Sequence, residues 1–582
     1  MARSRSRRRW LIAALIGLFV LAWLLVAGVT LLSARRDAQS GLDELRGARD
    51  NLGATQLVRA TALAPLEQAR SDFRRAHDQT SSWPLAPLKF LPVVGRQIRS
   101  VDALAGSAAE VTDVGIEAMR ASRAAIDAQQ SGGPGRVRLV EELGSIAGGS
   151  NARLAHVDLG PTHALIGPLA DARNDFSREL GRLSGALSDL GATADGLAPL
   201  LRGPSRYLVF AANNSEMRAG SGMFLSVGVL DFNDGSFSLG DMTPTGDLTL
   251  PPGAVPVTGD FAARWGWTHP NEEWRNLAMT PRFDASASLA LEMWKWRTGE
   301  DLDGVLTIDP IAVQALLKAT GPVDVDGETV SADTVLDEVF LKQYLTLDGG
   351  DTAQAARRER LGAIARATVA ALDTGTWDTV TLIDALQSAA AGRHVLAWSP
   401  KPAQDRGWKG IGIDGELSPD SVLLAVLNRG GNKLDQFVPI TAKLELAPGR
   451  SSADPTAVTI RATLTNQTPP DLPRYVAGPF PGRDYPSGTY VGIFSIDVPG
   501  SARDITIDDG APLVAAGADG PARVVATDVT LAPGASRELV VRFTLPAGVR
   551  TLQFDPTARV PGVAWADATG AWTDGDSHTV TW

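Results

Sequence analysis

The densest run of chemically capable side chains is Asn213-Asn214-Ser215-Glu216-Met217-Arg218-Ala219-Gly220-Ser221-Gly222-Met223-Phe224, directly after an apolar segment. Two amides, a carboxylate, a guanidinium and two glycines join backbone freedom to fixed donors, which suits an anionic group such as phosphate. The run fits neither GxxxxGK[ST] nor GxGxxG, so it does not point to a nucleotide. It equally suits a structural loop in which Glu216 pairs with Arg218 and the glycines satisfy turn geometry. Further polar and cationic contacts could come from Asn432 and Lys433, and from Arg357, Arg358 and Arg360 on a helix predicted from about Thr352 to Leu372. A turn with one exposed lysine and a solvated helix face account for these groups as well. Trp265, Trp267, Trp274, Trp294 and Trp296 could stack on sugar rings or fill a core. Asp309 before Pro310 reads as a helix N-cap and needs no chemistry.

Composition removes whole classes. The 582 residues contain no cysteine, so there is neither a disulfide framework nor a thiolate site. The six histidines are scattered without HExxH or HxH spacing, which argues against a histidine-rich metal centre. A net charge of −11 and the lack of a basic stripe interleaved with aromatics exclude a nucleic-acid partner. An excess of arginine over lysine, with abundant Ala and Gly, points to a GC-rich bacterial genome.

The elements that must position these groups follow from periodicity. Residues 1–9 form a basic arm bearing five arginines, and Trp10 to Leu32 is an uninterrupted apolar run. At about 1.5 Å per residue that run spans roughly 35 Å, enough for a transmembrane helix. The arginine bias predicts a cytoplasmic N-terminus, an uncleaved signal-anchor and an extracytoplasmic remainder. Arg7-Arg8 leaves twin-arginine and general export both open. Residues 34–201 show three- and four-residue apolar spacing and are expected to form an α-helical stalk or bundle. Residues 204–435 alternate strand and helix, predicting a central α/β (α+β) domain, with a hairpin at Asn233-Asp234-Gly235. Residues 436–582 carry about seven short strand-like runs and are expected to form an all-β, immunoglobulin-like sandwich. The chain is therefore read as multidomain.

Several motifs together resemble the bacterial domain of unknown function 4012 family, of the actinobacterial type. They are Phe90-Leu91-Pro92-Val93-Val94-Gly95-Arg96-Gln97, the Asn213–Phe224 run, Leu302-Asp303-Gly304-Val305 with Ile308-Asp309-Pro310 and Thr320-Gly321-Pro322-Val323, and Asn428-Arg429-Gly430-Gly431-Asn432-Lys433-Leu434-Asp435. Where that family often has an aromatic and then Pro-Asp-Phe-Pro, this chain has Trp274 and then Thr280-Pro281-Arg282-Phe283-Asp284, so Asp284 receives no family role. The order of elements also resembles, more distantly, the LytR-CpsA-Psr family. That resemblance implies transfer of glycopolymer from a polyprenyl-pyrophosphate carrier. Arg218 and one of Arg357, Arg358 or Arg360 would then hold phosphate, and Asp241, Asp247 or Asp303 would position Mg2+.

The leading expectation is a membrane-anchored, extracytoplasmic cell-envelope protein that binds or helps assemble surface polysaccharide or cell-wall glycopolymer. A metal-dependent phosphotransferase acting on lipid-linked glycopolymer is the alternative. An adhesion or signalling ectodomain with a protein partner is the third. Catalytic residues, any other cofactor and the oligomeric state are left open.

Overall fold

The computed structural model describes residues 2–582 except 50–62, 129–131, 343–349, 376, 378, 452, 481, 509 and 511; side chains are also outside the description at 2–21, 46–49, 341, 350–355, 358, 379 and 380. Two compact units are present: Met1–Gln129 with Leu139–Ala194, and Gln130–Arg138 with Asp195–Trp582. Multidomain α+β architecture, with helices first and β-rich sheets last, is therefore observed.

The helices are α1 Ala2–Arg49, α2 Leu63–Ser81, α3 Val94–Asp127, α4 Gly133–Leu154 and α5 Gly167–Arg202. In α2 the apolar residues recur at helical spacing, and Leu66, Ala69 and Phe73 bury against Ala108, Ala109, Ile116 and Met119 of α3. Between α2 and α3 the chain makes a 3-10 turn at Ala86–Phe90 and breaks at Pro92. A Cβ at Gly95 would overlap the carbonyl of Lys89, so the glycine of this break is required by close backbone approach. The predicted span Trp10–Leu32 lies in α1, and its side chains through residue 21 are outside the described ones. Among the described residues, no helix is long and apolar enough to cross a membrane.

In the second unit, β1 Ser205–Asn213, β2 Met223–Asn233, β3 Ser236–Leu239, β4 Thr243–Pro244, β5 Gly304–Ile308 and β8 Val395–Trp398 form a mixed sheet in the order β3-β2-β1-β5-β8, with β4 on β2. β6 Val323–Val325 and β7 Glu328–Val330 pair separately. β2 and β3 are joined as predicted, Asp234 and Gly235 both having positive φ between paired Asn233 and Ser236. Helices α6 Gly259–Trp265, α7 Phe283–Thr298, α8 Pro310–Thr320, α9 Gly350–Thr374, α10 Thr379–Ala391 and α11 Pro402–Gly410 are interspersed.

Twelve strands follow: β9 Ser421–Asn428, β10 Ile440–Pro448, β11 Thr456–Thr465, β12 Tyr490–Pro499, β13 Arg503–Asp508, β14 Leu513–Asp519, β15 Ala522–Leu531, β16 Ser536–Leu545, β17 Thr551–Phe554, β18 Ala564–Ala566, β19 Ala571–Thr573 and β20 His578–Thr581. They form two sheets, β13-β16-β11-β10-β18-β19 and β14-β15-β12-β9-β17-β20. Both are mixed, since β10 runs parallel to β18 and β9 to β17. The facing sides share one core, with Val426, Phe494 and Val525 meeting Ile460, Val541 and Phe543. On its other side the second sheet places Leu423, Ala425, Leu427, Ile493, Val524 and Ala526 against Phe210, Phe224, Trp274 and Phe283. Every residue of β9 is consequently buried, which is why it reads as an unbroken apolar run rather than an alternating one. Although it precedes residue 435, this strand is hydrogen-bonded to β12 and β17, in the second sheet.

Candidate functional site

The Asn213–Phe224 run leaves the end of β1 and returns as β2. All twelve residues are buried. The amide of Ser215 donates to Asn213 Oδ1 at 3.0 Å and that of Met223 to the Glu216 carbonyl at 2.9 Å, so the loop closes on itself. Gly222 has φ +90°, and a Cβ there would stand 2.8 Å from the Asn213 carbonyl oxygen; only glycine fits. The expected Glu216–Arg218 pair is not what forms. Glu216 instead meets Lys433 at 2.8 Å, with side-chain exposures of 9% and 4%. Arg218 donates from Nη1 to the carbonyls of Met217 and Asn428. Burial pulls its guanidinium down to about 10, against the opposing influence of Glu216 and Asp435.

Asp435 ties these parts together. It is fully buried and accepts from Met217 N (3.1 Å), Asn428 Nδ2 (2.8 Å), Tyr490 Oη (2.7 Å) and Arg559 Nη1 (3.0 Å). Arg559 also donates to the carbonyls of Asp435 and Val438. Burial, and then the Asp435 carboxylate, push the Tyr490 phenol well above its ordinary pKa, so it remains a donor. Asn432 donates to the Thr489 carbonyl at 3.0 Å. Asn428, Asn432, Lys433 and Asp435 of the "N…NK.D" segment are thus a buried clamp, and each has a protein partner. Periodicity did not single out Arg559 or Tyr490, because they reach Asp435 across 124 and 55 residues.

Asp309 caps α8 as predicted, its Oδ1 accepting from Ala312 N at 3.0 Å. Its Oδ2 also accepts from Asn214 Nδ2 at 2.8 Å and lies 2.6 Å from His394 Nδ1. Asn214 continues to the Ala558 carbonyl at 2.7 Å. One carboxylate thereby joins the loop, the start of α8, β8 and the segment before β18.

The α9 arginines part company. Arg357 is buried, with its guanidinium 4.4 Å from the Tyr475 ring centroid, and Lys433 Nζ lies 5.3 Å from the same ring. Arg357 therefore approaches the Glu216–Lys433 pair through a shared aromatic. Arg360 turns away to Glu338 (2.7 Å) and Glu328 (2.6 Å). The side chain of Arg358 lies outside the described residues. The proposed metal acids do not gather: Asp241 is exposed with Arg366 at 3.7 Å, Asp247 is exposed in a 3-10 turn, and Asp303 accepts from Arg206 N (2.7 Å) and Lys401 Nζ (2.6 Å). Among the described residues, no three histidine, aspartate or glutamate side chains are placed to hold a metal ion. The tryptophans divide as well. Trp265 and Trp274 are fully buried, whereas Trp267 and Trp296 are 43% and 47% exposed.

A second buried polar cluster was not foreseen. Asp497 on β12 is 1% exposed, and neither of its carboxylate oxygens has a hydrogen-bond partner among the described residues. Asp519 accepts from Thr280 Oγ1 at 2.9 Å, with Arg282 4.0 Å away. Burial raises both acids, Asp519 to about 6 and Asp497 well above its ordinary value, and for Asp497 the Asp519 charge adds to the effect.

Residues 202–344 match the family model described as a protein of unknown function, DUF4012. The match contains the Asn213–Phe224 loop, the Asp303-Gly304-Val305 strand start, Asp309-Pro310 and Gly321-Pro322-Val323, and it supports the resemblance drawn from them. Asn428–Asp435, which clamps that loop, lies outside it. No curated protein and no solved structure matches the chain.

Proposed function

We propose that this is a membrane-anchored, extracytoplasmic protein of the bacterial cell envelope that binds or helps assemble surface polysaccharide or cell-wall glycopolymer. The observation that carries the reading is the apolar run Trp10–Leu32 behind Arg3, Arg5, Arg7, Arg8 and Arg9. The helical segment after it and two large terminal sheets, which we read as an immunoglobulin-like sandwich, suit display away from a bilayer. The exposed Trp267 and Trp296 suit contact with sugar faces.

The phosphotransferase alternative has less support. It needs Arg218 and an α9 arginine in an open cleft with two acids, yet Arg218 is 6% exposed and already bonded to two carbonyls. Alkaline phosphatase fused after Trp582, with carbonate extraction of membranes, tests the anchor. Activity together with retention in the pellet is expected. An inactive fusion, or release by carbonate, would overturn it.

A further inference from the structure

We infer that Trp267 and Arg429 form a subsite for an acidic saccharide, the indole backing the guanidinium that takes the carboxylate or phosphate, and the sugar resting on the exposed remainder of the indole. This rests on the polysaccharide reading above and specifies its ligand class. Arg429 Cζ sits 4.8 Å from the Trp267 ring centroid. A guanidinium held over an indole keeps its charge and a fork of N–H donors suited to bidentate recognition of an anion. Among the described residues, no carboxylate pairs with Arg429.

The Trp267 side chain and the Arg429 backbone are held in place, and neither residue is buried. Trp267 Nε1 donates to the Arg264 carbonyl at 3.1 Å, and Asn276 Nδ2 to the Thr268 carbonyl at 2.6 Å. Arg429 N donates to the Val491 carbonyl at 2.9 Å, Gly430 N to Asn428 Oδ1 at 2.9 Å, and Tyr485 Oη to the Gly430 carbonyl. A large aromatic fixed this firmly yet 43% exposed differs from Trp265 next to it, which is fully buried in the core. Phe480, 48% exposed, lies against Gly431, two residues after Arg429. Arg429 also lies within electrostatic reach of the buried Arg218, while Glu216 and Asp435 are already paired with Lys433 and Arg559. Preorganisation of this kind lowers the ordering cost of binding.

The test is calorimetric titration of the full chain in detergent with oligogalacturonate, phosphomannan and unphosphorylated mannan. Binding of either acidic glycan, weakened on the order of tenfold by Arg429→Gln and by Trp267→Ala but not by Trp296→Ala, is expected. Arg429→Lys and Trp267→Phe, checked for an unchanged unfolding midpoint, separate ligand contact from folding and should give intermediate affinities. Binding of mannan alone would keep the polysaccharide reading and overturn the acidic subsite. Acidic binding indifferent to Arg429 and Trp267 would overturn the site, and no glycan binding would overturn both readings.

Discussion

Asp435 and Asp497 are both buried carboxylates in the second unit, and they are handled in opposite ways. Asp435 receives four hydrogen bonds, one from a guanidinium that is itself 1% exposed. Asp497 receives none among the described residues, and its neighbour Asp519 has one hydroxyl donor and a guanidinium at 4.0 Å. A carboxylate taken out of water must be paired or protonated, because its desolvation cost far exceeds a single hydrogen bond. The loop clamp follows the first route, whereas in the Asp497–Asp519 cluster burial raises both carboxyl pKa values. The loop with the composition of a phosphate cradle is thus held closed by protein partners, and the acidic cluster is left with few donors.

The largest effect should come from breaking the paired side. Arg559→Met strands the Asp435 charge and is expected to destabilise the second unit by about 3–5 kcal/mol, read as a lowered denaturant midpoint. A loss below about 1 kcal/mol would mean that the Arg559–Asp435 pair does not hold the clamp. Next, Lys433→Met and Glu216→Gln should each cost roughly 2–3 kcal/mol. The double variant should cost clearly less than their sum, since removing both charges leaves neither stranded; strict additivity would break the comparison.

Asp519→Asn addresses the sparsely bonded side. The folded carboxyl is raised to about 6 from an unfolded value near 3.8. Its destabilising contribution is thus absent below about pH 4 and complete above about pH 6. The substitution should stabilise by about 1–3 kcal/mol at pH 7 and leave stability unchanged at pH 4. Equal midpoints at both pH values would remove the pH-responsive role.

The smallest effect is expected in the first unit. There burial acts to raise the Asp102 pKa, but Lys89 (2.6 Å), Ser81 (2.7 Å) and Thr80 (2.8 Å) more than offset it and hold the carboxylate below its ordinary range. This stabilisation is present at neutral pH and lost as pH falls through the carboxylate range. Because solvent reaches the pair, Lys89→Met should cost under about 1 kcal/mol at pH 7. A larger loss would place this cluster with Asp435.

Much of the fold was legible because it is written locally. Helical spacing located α2 and α3, Asn233–Gly235 located the hairpin, Asp309-Pro310 located the start of α8, and period-two runs located β10, β11, β12, β15 and β16. Less of the candidate site could be read. Asn214, Glu216, Lys433 and Arg357 were singled out by residue type, but their partners were not. Nothing near Glu216 in the chain specifies Lys433 rather than Arg218. His394, Tyr490 and Arg559 carry no local mark at all.

The sequence by itself determined the element types, the absence of thiol chemistry, the arginine-flanked apolar run and the polar content of the loop after β1. These depend on side-chain identity and on periods of two to four residues. Only the tertiary structure decided that the loop is enclosed, that β9 is hydrogen-bonded between strands beyond residue 435, and that Asp435 meets four donors while Asp497 meets none among the described residues. Those outcomes turn on desolvation and on which distant groups share the same volume, and no local pattern records either.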